Sequence, residues 1–478
     1  MDLQKKSIVS LVSISLIGGL LGKGLRYLTN VVIARELGAE ALGIFAVGVV
    51  SVKFLGVVSR LGLDKAPPKF IPSQEDDSKI SGTVILSLGM PILVGILVSV
   101  VGYVVLDKID AFGYEDSLRL FFVGVPVIAS MMVGVSATTG FKETKYSVYV
   151  KDLIQSFSAL LFVGIGAYLV DSLQFSILGY IASFVLGLGA SVYFLFKLGA
   201  FDARPDFEVG KVLTFSVPLL VASMTQFVVS WTDIFMLGLF VPANEVGWYQ
   251  AAYQTSILLL VGLSSVNTIF PSIASGLFSD GSMTELGKIY RVVTKWLAYI
   301  SSLLFVLIVI FHSEILSIFK ISATEAKIAL VILCFGQTAS AVTGPVGLLL
   351  IMSDRERVES VNSTLLAVLN LGLNFFLIQE MGIVGAAIAT AASITILNIV
   401  RVTQVWWFFG FKPIDYSYYK GVFGIAGATL FAVMAARMTP NGIFSMMVIS
   451  GFAVVIFSVT IILFGFGEDN EVILQNIK

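Results

Sequence analysis

Lys23, Arg26 and Asn30 stand at i, i+3 and i+7 in an apolar stretch near the start of the chain, a spacing that sets all three on one face of a helix. Lys53 and Arg60, also seven apart, share a face of the next apolar stretch. A cation near the centre of a bilayer costs about 2.5–3.5 kcal/mol on an insertion scale, so Lys23, Arg26 and Lys53 together would cost on the order of 8–10 kcal/mol if all faced lipid. A water-filled cavity removes that cost. Two adjacent positive stripes then suit an anion, most naturally a phosphate, for which Arg offers two parallel donors and Lys a point charge. Snorkelling toward the headgroups is the competing reading. It weighs more for Arg60, near the inner surface, than for Lys23 and Lys53 in mid-span.

Asp233 is the acidic residue well inside an apolar run, on one face with Gln226 and Ser230. It could hold a cation or proton, or pair with one of the basic groups. Gln250, Tyr253 and Gln254, with Asn370 and Asn374 further on, could line a hydrophilic path with glycan-binding amides, or simply join helices by hydrogen bonds. One cysteine, Cys334, and one histidine, His312, cannot make a disulfide, a zinc site or a His-based triad within the chain. A core thiol and an interfacial imidazole are the readings that fit them. The chain shows no P-loop, no dinucleotide glycine fingerprint and no paired carboxylates in a polar loop, and its loops are too short for a soluble catalytic domain. No catalytic residue, metal site or cofactor is therefore expected. A net charge of −1 argues against nucleic acid as a partner.

The elements that must position these residues are membrane helices. Mean hydropathy is +0.95, with 57% apolar and 13% charged residues over 478 positions, whereas a soluble domain is about a quarter charged. Apolar segments are expected near 7–36, 39–62, 80–106, 117–138, 147–170, 173–197, 210–240, 246–272, 292–312, 327–352, 358–378, 382–408, 416–437 and 443–466. This predicts an all-α integral membrane protein of about fourteen transmembrane helices. Lys5 and Lys6 precede the first segment, which runs to Ile33 without a small-x-small cleavage site and so reads as a span, not a signal peptide. With the N-terminus inside, twenty-one Lys and Arg fall in inner segments and six in outer ones. That bias puts both termini in the cytoplasm and the Asp107, Lys108 and Asp110 loop outside.

One turn is written twice, about 203 residues apart: Thr29-Asn30-Val31-Val32 matches Thr232-Asp233-Ile234-Phe235, and Glu40 to Ala46 matches Asn244 to Gln250. The repeat predicts two six-helix lobes in tandem, residues 1–204 and 205–412, related by an axis along the membrane normal. Residues 413–478 add two more spans and a short cytoplasmic tail. Gly18, Gly19, Gly22 and Gly24, and Pro91, Pro126, Pro218 and Pro345, interrupt spans and could permit bending or only close packing.

Three stretches carry a resemblance. They are Ile33-Ala34-Arg35-Glu36-Leu37-Gly38 leading to Gly43-Ile44-Phe45, then Thr232 to Gly238 leading to Glu245-Val246-Gly247-Trp248-Tyr249, then Asn370-Leu371-Gly372-Leu373-Asn374 with Gly382 to Ala387. Through them the chain resembles the polysaccharide-transporter branch of the multidrug/oligosaccharidyl-lipid/polysaccharide exporter superfamily, which holds the O-antigen-type and lipid-linked-oligosaccharide flippases. The resemblance implies two lobes around a central cavity, alternating access, and a polyprenyl-phosphate- or polyprenyl-diphosphate-linked glycan as cargo in the cytoplasmic membrane. It implies that Lys23, Arg26 and Lys53, matching basic residues of related flippases by helix and depth, meet the cargo's phosphates. Membrane lipids and glycan-assembly enzymes are the implied partners, and a monomer is the favoured state. The basic eighth helix of peptidoglycan-precursor flippases is missing, since residues 246–272 hold no Lys or Arg. A multidrug or organic-cation antiporter is the alternative, though it should favour acidic cavity groups. An integral-membrane glycosyltransferase would need a long loop with metal-binding acids. On this reading Lys23, Arg26, Asn30, Lys53, Arg60, Asp233, Gln250 and Asn374 form the candidate substrate site.

Overall fold

A computed structural model describes residues 2–108, 113–412, 418–440 and 442–465, with side chains from residue 17 onward except at 229, 419, 420, 464 and 465. Asp110 and Lys478 of the topology argument lie outside the described residues. All regular structure among the described residues is helical.

Among the described residues, eleven helices are long and apolar enough to cross a membrane, or twelve if Glu115–Phe122 and Val125–Gly140, bent by 44°, form one span. The remaining expected segments belong to the first helix and to a bent element of two arms. The first helix, α1 (Asp2–Glu36), covers the segment expected at 7–36 and carries Lys23, Arg26, Thr29 and Asn30. The segments expected at 358–378 and 382–408 are the two arms of α12 (Glu356–Phe409), which meet at Gly382. Gly382 has φ 55° and ψ −133°, a conformation closed to side chains with a Cβ, so only glycine makes this reversal without strain.

The first compact unit is Met1–Gln250. It contains α1, α2 (Gly38–Arg60), α3 (Asp77–Lys108), the bent pair α4 (Glu115–Phe122) and α5 (Val125–Gly140), α6 (Thr144–Leu169), α7 (Leu173–Lys197) and α8 (Val209–Phe240). Pro126 sits in the first turn of α5, where its missing N–H costs nothing, so it starts a helix instead of kinking one. Pro91 and Pro218 do lie inside helices. On α3 the buried positions include the small residues Ser81, Gly82, Thr83, Ser87 and Gly95 beside Val84, Leu88 and Leu106, while Leu93, Leu97 and Val100 are exposed. Such an arrangement fits a helix whose outer face meets lipid and whose packing depends on close backbone approach. Packing also accounts for two of the α1 glycines. A Cβ on Gly18 would collide with Val148, and one on Gly22 with Asp152, whereas Gly19 and Gly24 face open space.

The twice-written turn has a structural counterpart. A Cβ on Gly43 would strike the Ala243 carbonyl, and one on Gly247 the Ala39 carbonyl. Gly43 and Gly247 are equivalent in the repeat, as are Ala39 and Ala243, so the two copies pack against each other through a reciprocal contact of small residues.

The second unit, Ala251–Lys478, holds most of α9 (Ala243–Ser279), then α10 (Met283–Ile310), α11 (Thr324–Thr343), α12, α13 (Tyr419–Met438) and α14 (Ile443–Gly465). On α14 Ile449, Ala453, Phe457 and Ile461, spaced by four, are buried beside Tyr299, Leu303 and Leu307 of α10 and Ala428 and Ala432 of α13. The opposite face exposes Phe444, Met447, Phe452 and Ile462. A helix apolar on both faces belongs in hydrocarbon.

Candidate anion site on the first two helices

The face of α1 that holds Lys23, Arg26 and Asn30 meets α6 and α9. Arg26 donates through Nη1 to Ser156 Oγ at 2.9 Å and through Nη2 to Asp152 Oδ1 at 3.2 Å. Asp152 belongs to a π-helical turn, Tyr149–Ile154, within α6. Lys23 and Lys53 each interact electrostatically with Arg26, Lys53 also with Lys151, and Lys23 also with Asp152. Lys53 lies on α2 with its Nζ 4.0 Å from the centre of the Trp231 ring on α8. Three expected residues and one unforeseen cation, the exposed Lys151, thus form a positively charged cluster, with Asp152 as the carboxylate set against it.

The other expected residues divide. Asn30, buried, donates to the Arg26 carbonyl at 2.8 Å and accepts from Gln250 Nε2 at 3.3 Å, so Asn30 and Gln250 do meet. Gln250 Oε1 is buried without a hydrogen-bond partner. Arg60 turns back on α2, donating from Nε to the Gly56 carbonyl at 3.2 Å. Seven residues, about 10 Å of helix, separate it from Lys53. Asp233 is 4% exposed, and its carboxylate accepts the Tyr249 hydroxyl at 2.6 Å and the Ile234 amide at 2.9 Å. Its partners are a phenol and a backbone amide, not the basic group that sequence offered as one choice. Asn374, fully buried in the second unit, donates to the Asn370 backbone carbonyl and to Asn370 Oδ1, both at 3.0 Å. These bonds stay within one helix instead of joining two.

Two cations expected at the inner surface lie within the helices α10 and α12. Lys295, expected at an inner surface, is 7% exposed on α10. Arg401, likewise expected there, lies on α12 and donates from Nε to Glu359 Oε2 at 2.9 Å and from Nη2 to Glu359 Oε1. Ser363 adds a bond to the same carboxylate at 2.9 Å, and Asn362 and Gln404 exchange two amide bonds at 2.7 and 3.0 Å. This ladder ties the two arms of α12 together far from the turn at Gly382.

Sequence reasoning missed Asp152, Ser156, Trp231 and Tyr249. Asp152 was hidden because Lys151 marked the segment as an inner loop. Tyr249 stood within the repeated turn, where its position invited attention, but nothing local linked it to Asp233.

The sequence profile of the family described as "Polysaccharide biosynthesis protein" matches residues 8–277, more than half of the chain, and the MatE profile matches residues 218–376. A probable low-salt glycan biosynthesis flippase, Agl15 of Haloferax volcanii, is 26% identical over 414 residues, covering 84% of this chain and 83% of that protein. In fold, the chain is similar to the lipid II flippase MurJ in an inward closed conformation, with a TM-score of 0.72 at 13% identity over 94% of this chain and 98% of that one. It is also similar to an inward-facing multidrug resistance MATE family transporter, with a TM-score of 0.65 at 16% identity over 88% and 96%. The chain belongs to the polysaccharide biosynthesis protein family and is a multi-pass, all-α membrane protein.

Proposed function

We propose that this member of the polysaccharide biosynthesis family is a flippase that carries a polyprenyl-phosphate- or polyprenyl-diphosphate-linked oligosaccharide across the cytoplasmic membrane by alternating access. One observation carries the reading: Lys23, Arg26, Lys53 and Lys151 gather about a single turn with Asp152 set against them. Charge of one sign inside apolar helices is costly until an anion arrives. A lipid-linked phosphate supplies the anion while its polyprenyl tail stays in the bilayer and the glycan crosses in water. The name borne by Agl15 and the fold shared with MurJ support this cargo. Nothing in the reading requires bond making or breaking, so the chain acts as a transporter and not as an enzyme.

Two lobes of residues 1–204 and 205–412, followed by 413–478, both termini in the cytoplasm and a monomeric state complete the reading. Cysteine labelling in a Cys334-free background tests the orientation, and an external C-terminus would sink it. An organic-cation antiporter is less well supported. Its cargo would need free acidic groups, and here Asp152 engages Arg26 while Asp233 engages Tyr249.

Depletion of the protein followed by leaflet-resolved lipid extraction tests the function. A lipid-linked glycan should accumulate on the cytoplasmic side, and an unchanged distribution between leaflets would overturn the assignment.

A further inference from the structure

The phosphate reading sets the cargo's head group beside Lys53 and leaves the sugar next to it unassigned, and the following inference rests on that reading. Helix α8 meets α2 along one face. A Cβ on Gly62, just past the end of α2, would strike the Ser216 carbonyl, and one on Gly238 would strike Val47. Between these contacts the Phe54 and Phe227 ring centroids are 5.4 Å apart, and Lys53 Nζ lies 4.0 Å from the centre of the Trp231 ring. Positions 216, 227, 231 and 238 fall within about 60° of one another at about 100° per residue. Packing on α2 thus fixes the orientation of α8 along most of its length.

Gln226, Ser230 and Asp233 share the flank about a quarter-turn from that face. Toward the end of α8 the flank is closed, with Asp233 buried and bonded to Tyr249 of α9. About two turns nearer the start of α8 it opens: Gln226 is exposed and Ser230 half-buried. An amide on a membrane-spanning helix is strongly penalised in hydrocarbon, so this part of the flank faces water.

The flank also keeps hydrogen-bonding capacity in reserve. Gln226 Nε2 donates to Ser230 Oγ at 3.3 Å, and Ser230 Oγ donates to the Gln226 backbone carbonyl at 2.9 Å. Gln226 Oε1 and the second amide N–H are engaged by no other group among the described residues. An acceptor and a donor side by side on one planar amide suit two neighbouring sugar hydroxyls, each of which both donates and accepts. Place follows from sequence, because Ser230 adjoins Trp231, whose ring carries Lys53, and Gln226 lies about 7.5 Å further along the helix. We propose that Gln226 and Ser230 form a sugar site on α8 that binds hydroxyls of the ring linked directly to the phosphate.

The test is calorimetric binding of two farnesyl diphosphate esters to the purified full-length protein in detergent. One ester bears glucose and the other a methyl group in its place, so both carry the same charge. Wild type should bind the glucosyl probe about ten-fold more tightly. Gln226→Leu should remove most of that difference and leave the methyl probe within about two-fold of wild type. Gln226→Ala should behave alike, and it keeps the question open to measurement should the Leu variant not fold. Gln226→Asn, which keeps an amide, should retain part of the difference, and Ser230→Ala should shrink it less than Gln226→Leu does. Equal affinity of wild type for the two probes would overturn the proposal. So would folded Leu or Ala variants that keep the full difference, or that weaken both probes by the same factor. Undiminished binding of the methyl probe by Arg26→Gln is a separate result that would overturn the phosphate reading itself.

Discussion

Arg26 with Asp152 in the first unit and Arg401 with Glu359 in the second are both ion pairs inside apolar helices, yet they are built differently. Arg401 and Glu359 meet through two nitrogens and two oxygens, at 19% and 8% side-chain exposure, with Ser363 on the same carboxylate and the Asn362–Gln404 amides alongside. Arg26 and Asp152 meet through one nitrogen and one oxygen at twice the exposure, with three lysines near. Compensation separates the roles. A pair that meets through two donors and two acceptors, in a dry place, holds two helix arms together. A single-contact pair set among several cations can trade its carboxylate for another anion.

The largest expected effect is in the compensated region. Arg401→Leu leaves Glu359 buried without its cation, and such a loss costs about 3–5 kcal/mol. The unfolding midpoint in detergent should drop steeply, with much less change for Arg26→Gln. Equal drops would erase the distinction between the two pairs.

Next comes the cation cluster of the first two helices. The variant with Lys23→Gln, Arg26→Gln and Lys53→Gln should insert and fold nearly as wild type, because removing buried charge eases insertion. Its affinity for farnesyl diphosphate should fall by roughly a hundred-fold, near 2.7 kcal/mol. Arg26→Lys alone should retain part of the binding, since charge survives without the two-donor geometry. Full affinity in the triple variant would assign the cations to structure.

A smaller effect is expected at Asp233, which resembles the compensated pair in burial but lacks a cation. Tyr249→Phe removes the hydroxyl 2.6 Å from its carboxylate and should cost about 1–3 kcal/mol in stability, the range for orphaning a buried polar acceptor. Adding Asp233→Asn should recover part of that loss while transport stays low. If Asp233→Asn keeps full transport with the same ion dependence, Asp233 is a packing residue.

The smallest effect belongs to Trp231. Its ring lies under Lys53 at 4.0 Å, and a contact of this type contributes about 0.5–2 kcal/mol. Because the ring competes only weakly with a phosphate for the ammonium, Trp231→Leu should change farnesyl diphosphate affinity by less than about five-fold. A hundred-fold change would make Trp231 part of the binding site and not merely a rest for Lys53.

Much of this was legible without coordinates, and the pattern of failures follows distance along the chain. Lys23, Arg26 and Asn30 could be grouped because i, i+3 and i+7 share a helix face whatever the tertiary fold. The repeat of residues 29–46 at 232–250 foretold equivalent turns, and Gly43 and Gly247 then proved to touch equivalent carbonyls. Arg401 stands only about two turns from the end of α12, and hydropathy gave no sign that it pairs with Glu359. The boundary expected between 378 and 382 coincides with the break at Gly382.

Amino-acid order by itself determined that this chain lives in a membrane, that its helices carry polar stripes, and that the first two present cations. Those properties depend on composition and on a period of 3.6 residues, both local. Which charge answers which was decided only by the tertiary structure. Arg26 finds Asp152 across 126 positions and Arg401 finds Glu359 across 42, and no local rule distinguishes these partners from other carboxylates in the chain. A buried charge selects its partner by the distance and dryness that packing creates, and packing exists only when the helices are assembled.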